Sequence, residues 1–482
     1  MTEARLAAPG APTDSWLMRG SQYAAAVIVA LLACFAGLSA GSGSPLLVVL
    51  PLAGVVGLGL GLLAMRNFQA FLLVTLVARA SLDLAKVSSE LGSEDTATRA
   101  LDPASMLGLL FLFVAAVWLM ARRQAKGLVP GSFLRRALLA FVVAGMFSVA
   151  GTEGDPLPSL LEVTRILSAV LMFVVLEQMM AEKKNMRTLL MGVYMSSIFP
   201  LLMTAWGFAG GGARQEVKGD FERVTGPFGQ SNTFGRYLML MIIFGVAIFP
   251  YLEKGYRRLF AVLLSGSAIV LVLTFTRSAL VATVFGLVAV ALAQGKKVLV
   301  GVIVLATFGL LSIPQVNARF SDLTEDESTV DTSPNSVDWR LAQWTSVLPY
   351  FKSSPVTGVG LSKVPTLTSN EAQTHNDFVR VLVETGVLGI LAYLAVLAAI
   401  LGLGRRAVLA APRGTFDHAV AAGFFGCAVA FLAVSVVANV ISNVVTLWYF
   451  FAFAAAASSV VRRNTPEHPG EAPASLEVVR TP

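Results

Sequence analysis

The chain is a succession of apolar runs, each about long enough to cross a bilayer, and this limits its fold more than any other feature. A spanning helix needs about 20 mostly apolar residues, and inside lipid only helices and closed barrels satisfy every backbone polar group. About 14 runs qualify: 22–40, 45–64, 67–84, 104–121, 136–151, 158–180, 187–209, 231–251, 259–275, 278–294, 298–313, 379–403, 417–438 and 440–461. Of these, 278–294 and 298–313 are short, and one of them can be re-entrant. Composition agrees: 13% of the 482 residues are charged, against about 25% in soluble domains. The predicted fold is all-α, a polytopic bundle of about 12–14 spans with one long extracytoplasmic loop containing short helices.

Charge sets the orientation. The net charge of +7 follows the loops, so topology explains it before nucleic acid does. One set of loops carries Arg66; Arg122, Arg123 and Arg135; Lys183 and Lys184; Lys254, Arg257 and Arg258; Lys296 and Lys297; Arg405 and Arg406; Arg462 and Arg463. It alternates with a second set, 85–103, 152–157, 210–230 and 314–378, which is rich in acids such as Glu90, Glu94, Asp95, Glu153, Asp155 and Asp322. Basic loops stay inside, which predicts a cytoplasmic-membrane protein with both termini cytoplasmic. The expected divisions are a disordered N-terminus at 1–21, eleven spans within 22–313, an outer loop at 314–378, further spans within 379–461 and a disordered tail at 462–482. The run from Tyr23 reads as a retained first span, not a signal peptide. Cys34 and Cys427 both lie in apolar runs and indicate neither a disulfide framework nor a metal site.

The long polar interval, 314–378, is where chemistry is expected. It carries Glu325, Asp326, Glu327 and Asp331, then Asp338-Trp339-Arg340, and ends at Thr374-His375-Asn376-Asp377. Trp339, Trp344, Val347 and Leu348 predict a short amphipathic helix on the membrane surface. His375 is one of three histidines and stands where the polar segment meets an apolar helix. An imidazole titrates near pH 6.5, about right for a general base, although a lone histidine is more often structural. The 210–230 loop adds Arg214, Lys218 and Arg223 before Gly226-Pro227-Phe228, a tight turn that exposes backbone N–H groups to an anion. Three basic residues in an outer loop run against the positive-inside rule. Arg277 lies at another outer turn, where it can either snorkel to headgroups or join a site. Together Arg214, Arg223, Arg277 and Arg340 can form a polyanion site, because guanidinium forks bind phosphate oxygens two at a time. Within spans, Arg79 with Asp83 and Glu162 with Arg165 are spaced to pair on one helix face. No zinc spacing and no nucleotide-phosphate loop occurs, so neither metal nor cofactor is expected.

In this order, these pieces resemble the O-antigen ligase and polymerase superfamily of bacterial envelope enzymes. Arg223-Val-Thr-Gly226-Pro-Phe228 through Asn232 looks like the family's Arg-x-x-Gly-x-Phe…Asn segment, and Thr276-Arg277-Ser278 resembles its Ser-Arg-Ser turn. Arg340…Trp344…Pro355-x-x-Gly358-Val-Gly360 and His375-Asn376…Glu384-Thr-Gly386-Val-Leu-Gly389 are similar to its two later motifs. The resemblance covers roughly residues 200–400. It implies a metal-independent, inverting glycan transferase working at the outer face of the membrane. The donor would be a glycan on undecaprenyl diphosphate, and the partners a glycan or lipid acceptor and membrane lipids. Arg214, Arg223, Arg277 and Arg340 would hold the diphosphate, His375 would be the base, and Asn232, Asn376 and Glu384 would support them. Ligase and polymerase share nearly the same motifs. In other classes, a lipid-linked glycan transporter would place its site at the midplane between repeats, and a receptor would need cytoplasmic parts to signal with.

Overall fold

The computed structural model describes residues 45–85, 102–152, 154–218, 221–321, 336–368 and 373–465. The expected N-terminus, the run at 22–40, the acids Glu325, Asp326, Glu327 and Asp331, and the tail from Pro466 onward lie outside the described residues.

The chain divides into two compact units, Met1–Leu72 and Leu73–Pro482. The first holds α1 (Pro45–Arg66). Asn67 then ends one helix and starts the next. Its N–H donates back to Leu63 O at 2.7 Å, and its side-chain Oδ1 accepts from Ala70 N at 3.0 Å, capping α2 (Phe68–Arg79).

The second unit contains α3 (Pro103–Lys126), α4 (Phe133–Ala150), α5 (Leu157–Met179), α6 (Lys183–Met195) and α7 (Ile198–Trp206). A hairpin follows, β1 (Gln215–Lys218) and β2 (Phe221–Val224), antiparallel with Glu216 opposite Arg223. Next come α8 (Ser231–Ile248), α9 (Lys254–Leu273), α10 (Arg277–Ala293), α11 (Lys297–Leu311) and α12 (Pro314–Ser321). The remainder is α13 (Ser336–Val347), α14 (Val364–Leu367), α15 (Asp377–Ala410), α16 (Phe416–Ser435) and α17 (Val444–Asn464). Helix starts carry their expected caps: Ser132 accepts from Arg135 N, Thr415 from His418 N and Asn443 from Thr446 N.

Among the described residues nine helices are long and apolar enough to cross a membrane, or ten if α11 and α12, bent by 85°, form one broken span. The protein is an all-α, multi-pass membrane bundle. Of the two runs expected to be short, 278–294 appears as the shorter apolar helix α10 and 298–313 as the first half of that bent pair.

The axis of the bundle is α17, whose residues Val445 to Val460 are all buried. Its aromatic rings meet two neighbouring helices: Trp448 lies 5.0 Å from Phe111 on α3, Tyr449 4.9 Å from Tyr237 on α8, and Phe453 stacks 3.9 Å from Phe244 on α8. In lipid the hydrophobic effect does not drive helices together, so close packing must do it. Aromatic pairs of this kind contribute about 0.5–1.5 kcal/mol each beyond buried area. Large apolar side chains on the outer helices point outward instead: Phe113 on α3 is 70% exposed and Leu305 on α11 is 73% exposed. In water such a surface is a liability, whereas against acyl chains it is the matched face.

At one end of the bundle three arginines of the basic loop set have acidic partners. Buried Glu177 receives Arg135 Nε at 2.9 Å and Arg462 Nη1 at 3.1 Å, while Arg463 Nη2 reaches Asp417 at 3.4 Å. The candidate site lies at the other end.

Candidate active site

The site is built on a break in α15. Gly386 leaves the helix with φ 63° and ψ −161°, which strands backbone groups on both sides of it. The segment from Pro355 to Gly360 satisfies them. Val387 N donates to Pro355 O at 2.9 Å and Leu388 N to Val356 O at 3.3 Å. In return Val359 N donates to Val383 O at 3.1 Å and Gly360 N to Glu384 O at 3.0 Å. A Cβ on Gly358 would overlap the Glu384 backbone, and one on Gly386 would overlap Val356. The two glycine-rich motifs are therefore two halves of one interlocked backbone joint.

Glu384 sits at this joint, fully buried, and begins a line of alternating charges. Its carboxylate accepts from Arg380 Nε at 2.9 Å; Arg380 Nη2 reaches Glu162 at 3.1 Å, and Glu162 meets Arg165 at 3.5 Å. Burying ions this deeply is tolerable only because each has an opposite neighbour. The line ends at Arg165, which faces a cavity.

The first turn of α15 fixes His375. Asn376 Oδ1 accepts from Phe378 N at 2.8 Å and Val379 N at 3.2 Å, capping the helix. Asn439, in the turn between α16 and α17, accepts from Asn376 N at 3.0 Å and from Thr374 Oγ1 at 3.2 Å. Trp344 Nε1 donates to Thr374 O at 2.7 Å. Asp377 accepts from Val440 N at 3.0 Å and from Tyr393 Oη at 3.1 Å. So held, His375 takes a left-handed φ of 49°. For a residue other than glycine, that costs on the order of 1–3 kcal/mol and persists only where the surroundings impose it. Its ring lies 5.6 Å from that of Trp339.

His375 lines a cavity of about 830 Å³ together with Arg79, Arg165, Arg214, Arg236 and Asn232. Leu109, Leu112, Leu161 and Val445 supply an apolar wall. Arg79 is paired with Asp83 at 3.0 Å, and Arg165 with Glu162. Arg214, at the exposed rim, and Arg236, only 7% exposed, have no acidic partner within salt-bridge distance among the described residues, and Arg236 Nε makes no hydrogen bond. Two guanidiniums without a carboxylate in salt-bridge contact, beside an imidazole and an apolar wall, suit a phosphate-bearing amphiphile.

The other expected arginines stand behind this surface. Arg223 is 2% exposed, and its contacts are all within the protein: Nε donates to Thr274 O at 3.0 Å, Nη2 to Asn232 Oδ1 at 2.7 Å and to Thr276 Oγ1 at 3.2 Å, and Nη1 pairs with Glu216 at 3.2 Å. Burial pulls this guanidinium down to about 10, Glu216 opposing and Arg319 adding to the effect, so it stays charged at neutral pH. Arg277 Nη1 donates to Arg319 O at 3.0 Å, tying α10 to α12. Arg340 is lowered by burial, and with Arg223 and Asp377 it lies within electrostatic reach of Arg236. Arg223, Arg277, Arg340, Asn376 and Glu384 are thus not among the residues lining the cavity. The amphipathic helix is present as α13, but buried Val347 packs on Val364 and Val383 within the protein instead of facing lipid.

Sequence reading missed Arg236, Arg380 and Asn439. Arg236 carried a usable signal, because it is an arginine inside an apolar run, one helical turn beyond Asn232. Asn439 carried none. Among the described residues no three His, Cys, Asp or Glu side chains gather as a metal site.

The model of the O-antigen ligase family matches residues 259–394, from α9 through His375 and Glu384 into α15. No curated protein matches the chain.

Proposed function

We propose that this chain, a member of the O-antigen ligase and polymerase superfamily through residues 259–394, transfers a glycan from a lipid diphosphate carrier to an acceptor hydroxyl. The observation that carries the proposal is the placement of His375 in one cavity with Arg214 and Arg236. The donor is a glycan on undecaprenyl diphosphate, its chain lying along the apolar wall and its diphosphate between the two guanidiniums. The site faces outward, the termini face the cytoplasm and 314–378 is the outer catalytic segment, as the loop charges favour.

His375 accepts the proton of the acceptor hydroxyl as that oxygen attacks the anomeric carbon. The bond to the diphosphate breaks on the opposite face, which inverts the centre, and both electrons leave with the phosphate oxygen. Arg214 and Arg236 stabilise the charge growing there. Preformed charges of this kind typically lower a barrier by several kcal/mol, and a positioned base adds about 10²–10⁴-fold. Arg223 holds Asn232, Asn376 holds the first turn, and the Glu384 line holds Arg165. No step is routed through a metal. The cluster of His375 with arginines at one end of the bundle favours an enzyme over a transporter.

Deleting the gene tests the reading. Loss of a surface polysaccharide with glycan retained on its lipid carrier is the ligase outcome, and shortening to a single repeat is the polymerase outcome. An unchanged polysaccharide would falsify both.

A further inference from the structure

We propose that the groove on α13 beyond Trp339 binds the sugar rings of the acceptor. This rests on the transferase reading above. The groove, of about 400 Å³, is lined by Trp339, Gln343, Ser346, Tyr350, Leu367 and Thr368, with Ala342 at its floor. The first three, with Ala342, are spaced by three and four residues and form one stripe of the helix. The rest of α13 is committed elsewhere, Val347 to the apolar cluster and Trp344 Nε1 to Thr374 O.

The lining names the ligand class. Among the described residues it offers two aromatic rings and the side-chain oxygens of Ser346 and Thr368, and no charged side chain. A pyranose has an apolar C–H face that lies flat on an aromatic ring and an equatorial belt of hydroxyls that hydrogen-bond at the edges. A phosphate or carboxylate ligand would find no cation among the described lining residues, whereas a sugar hydroxyl can donate to the oxygens of Ser346 and Thr368, whose own protons go to Gln343 O and Pro365 O. The walls are fixed in advance: Tyr350 Oη donates to Leu367 O at 3.0 Å, and the α13 backbone is pinned through Trp344. Preorganised rings of this kind lose little entropy on binding.

Position selects the acceptor over the donor. Trp339 lines the groove and its ring lies 5.6 Å from that of His375, which lines the cavity holding Arg214 and Arg236. The imidazole therefore stands between the two compartments. An inverting displacement needs the attacking hydroxyl and the leaving diphosphate on opposite sides of the reacting carbon, so the compartment without arginines is the acceptor's.

The test is steady-state kinetics of the purified full-length enzyme in detergent, with donor and acceptor varied separately. Ala342→Tyr fills the groove without touching His375, and Trp339→Ala removes a stacking face. Both should raise the acceptor KM about tenfold and leave the donor KM unchanged. Trp339→Phe should recover most of the loss, and Thr345→Tyr, on the same helix outside the groove, should behave as wild type. A second readout needs no turnover: p-benzoylphenylalanine at position 367 should photo-crosslink carbohydrate in living cells, and Ala342→Tyr should abolish the adduct. Wild-type protein without any turnover would count against the transferase reading alone. An unchanged acceptor KM in Ala342→Tyr, a shift in the donor KM instead, or no carbohydrate captured at position 367 overturns the acceptor groove.

Discussion

Arg223 Nη2 donates to Asn232 Oδ1 at 2.7 Å, so the arginine that opens the family-like motif anchors the cavity wall from behind. One turn further along α8, Arg236 lines the cavity itself. Two arginines close in sequence thus have separable tasks. Arg236→Ala should lower turnover and raise the donor KM with the fold intact, and Arg236→Lys should recover only part, because an ammonium lacks the planar fork. Arg223→Ala should act mainly on stability, since it strands Asn232, Glu216 and the Thr274 carbonyl; each lost buried bond costs about 1–3 kcal/mol. Thermal unfolding and donor KM, measured on both variants, check the assignment. A normal Tm in Arg223→Ala with a raised donor KM would reverse it.

The joint at Gly386 should be intolerant of side chains. Gly386→Ala forces a Cβ into the Val356 backbone and holds alanine at a φ of 63°. The conformation alone costs about 1–3 kcal/mol, and the overlap adds to it. The expected result is a lower Tm together with loss of activity, because the joint positions both Glu384 and the segment leading to α14. Gly402→Ala is the comparison: it lies further along α15 with open space around it and should be silent. Equal Tm values for the two variants would remove the joint's structural role.

Much of this was legible in the sequence, and the reason differs by level. Span lengths and loop charges report directly on lipid, so α3, α5, α8 and α17 fall where the apolar runs predict. The position of His375 just before α15 was legible because a polar segment meets an apolar helix there. The pairing of Glu384 with Arg380 was half visible, as an i,i+4 spacing inside a span, but its continuation to Glu162 joins residues far apart in the chain. Asn439 is the clearest case of what spacing cannot show. An asparagine in a short turn looks like any other turn residue, and only the packing of α15 against α16 and α17 makes it the acceptor that holds Thr374 and Asn376. The burial of Arg223 was hidden for a related reason, since its partners are contributed by Thr274 and Thr276 about 50 residues later.

Topology is open to direct measurement. Arg135, Arg462 and Arg463 gather at one end with Glu177 and Asp417, while the segment around α13 belongs to the other. A cytoplasmic reporter fused after Arg463 and a periplasmic reporter inserted near Thr332 should both be active. The same sidedness at both points would reverse the placement of the 314–378 segment and move the site to the cytoplasmic face.

His375 gives the sharpest expectation. Its backbone is held left-handed by the Asn376 cap and by Asn439, its ring contacts Trp339, and it faces the cavity that carries Arg214 and Arg236. His418 does not line the cavity; it is buried elsewhere, with its ring nitrogens 3.2 Å from Ala411 O and 3.2 Å from Ala293 O. His375→Ala should therefore lower turnover by about 10²-fold or more, the usual scale for losing a general base. The donor KM should stay near wild type, since the guanidiniums proposed to hold the diphosphate remain. The sign with pH follows from the role: a base works only when unprotonated, so wild-type rates should fall as the pH is lowered. The residual rate of His375→Ala should be flat over the same range. A chelator should leave the rate unchanged, and recovery of a chelated enzyme by a divalent ion would assign the proton transfer to metal-bound water instead. The assay is product formation over time from a lipid-diphosphate-linked glycan and an acceptor, across pH 5–8, for wild type and variant side by side. A variant as fast as wild type, or one that keeps the wild-type pH profile at a reduced rate, would move the base to another group in the cavity.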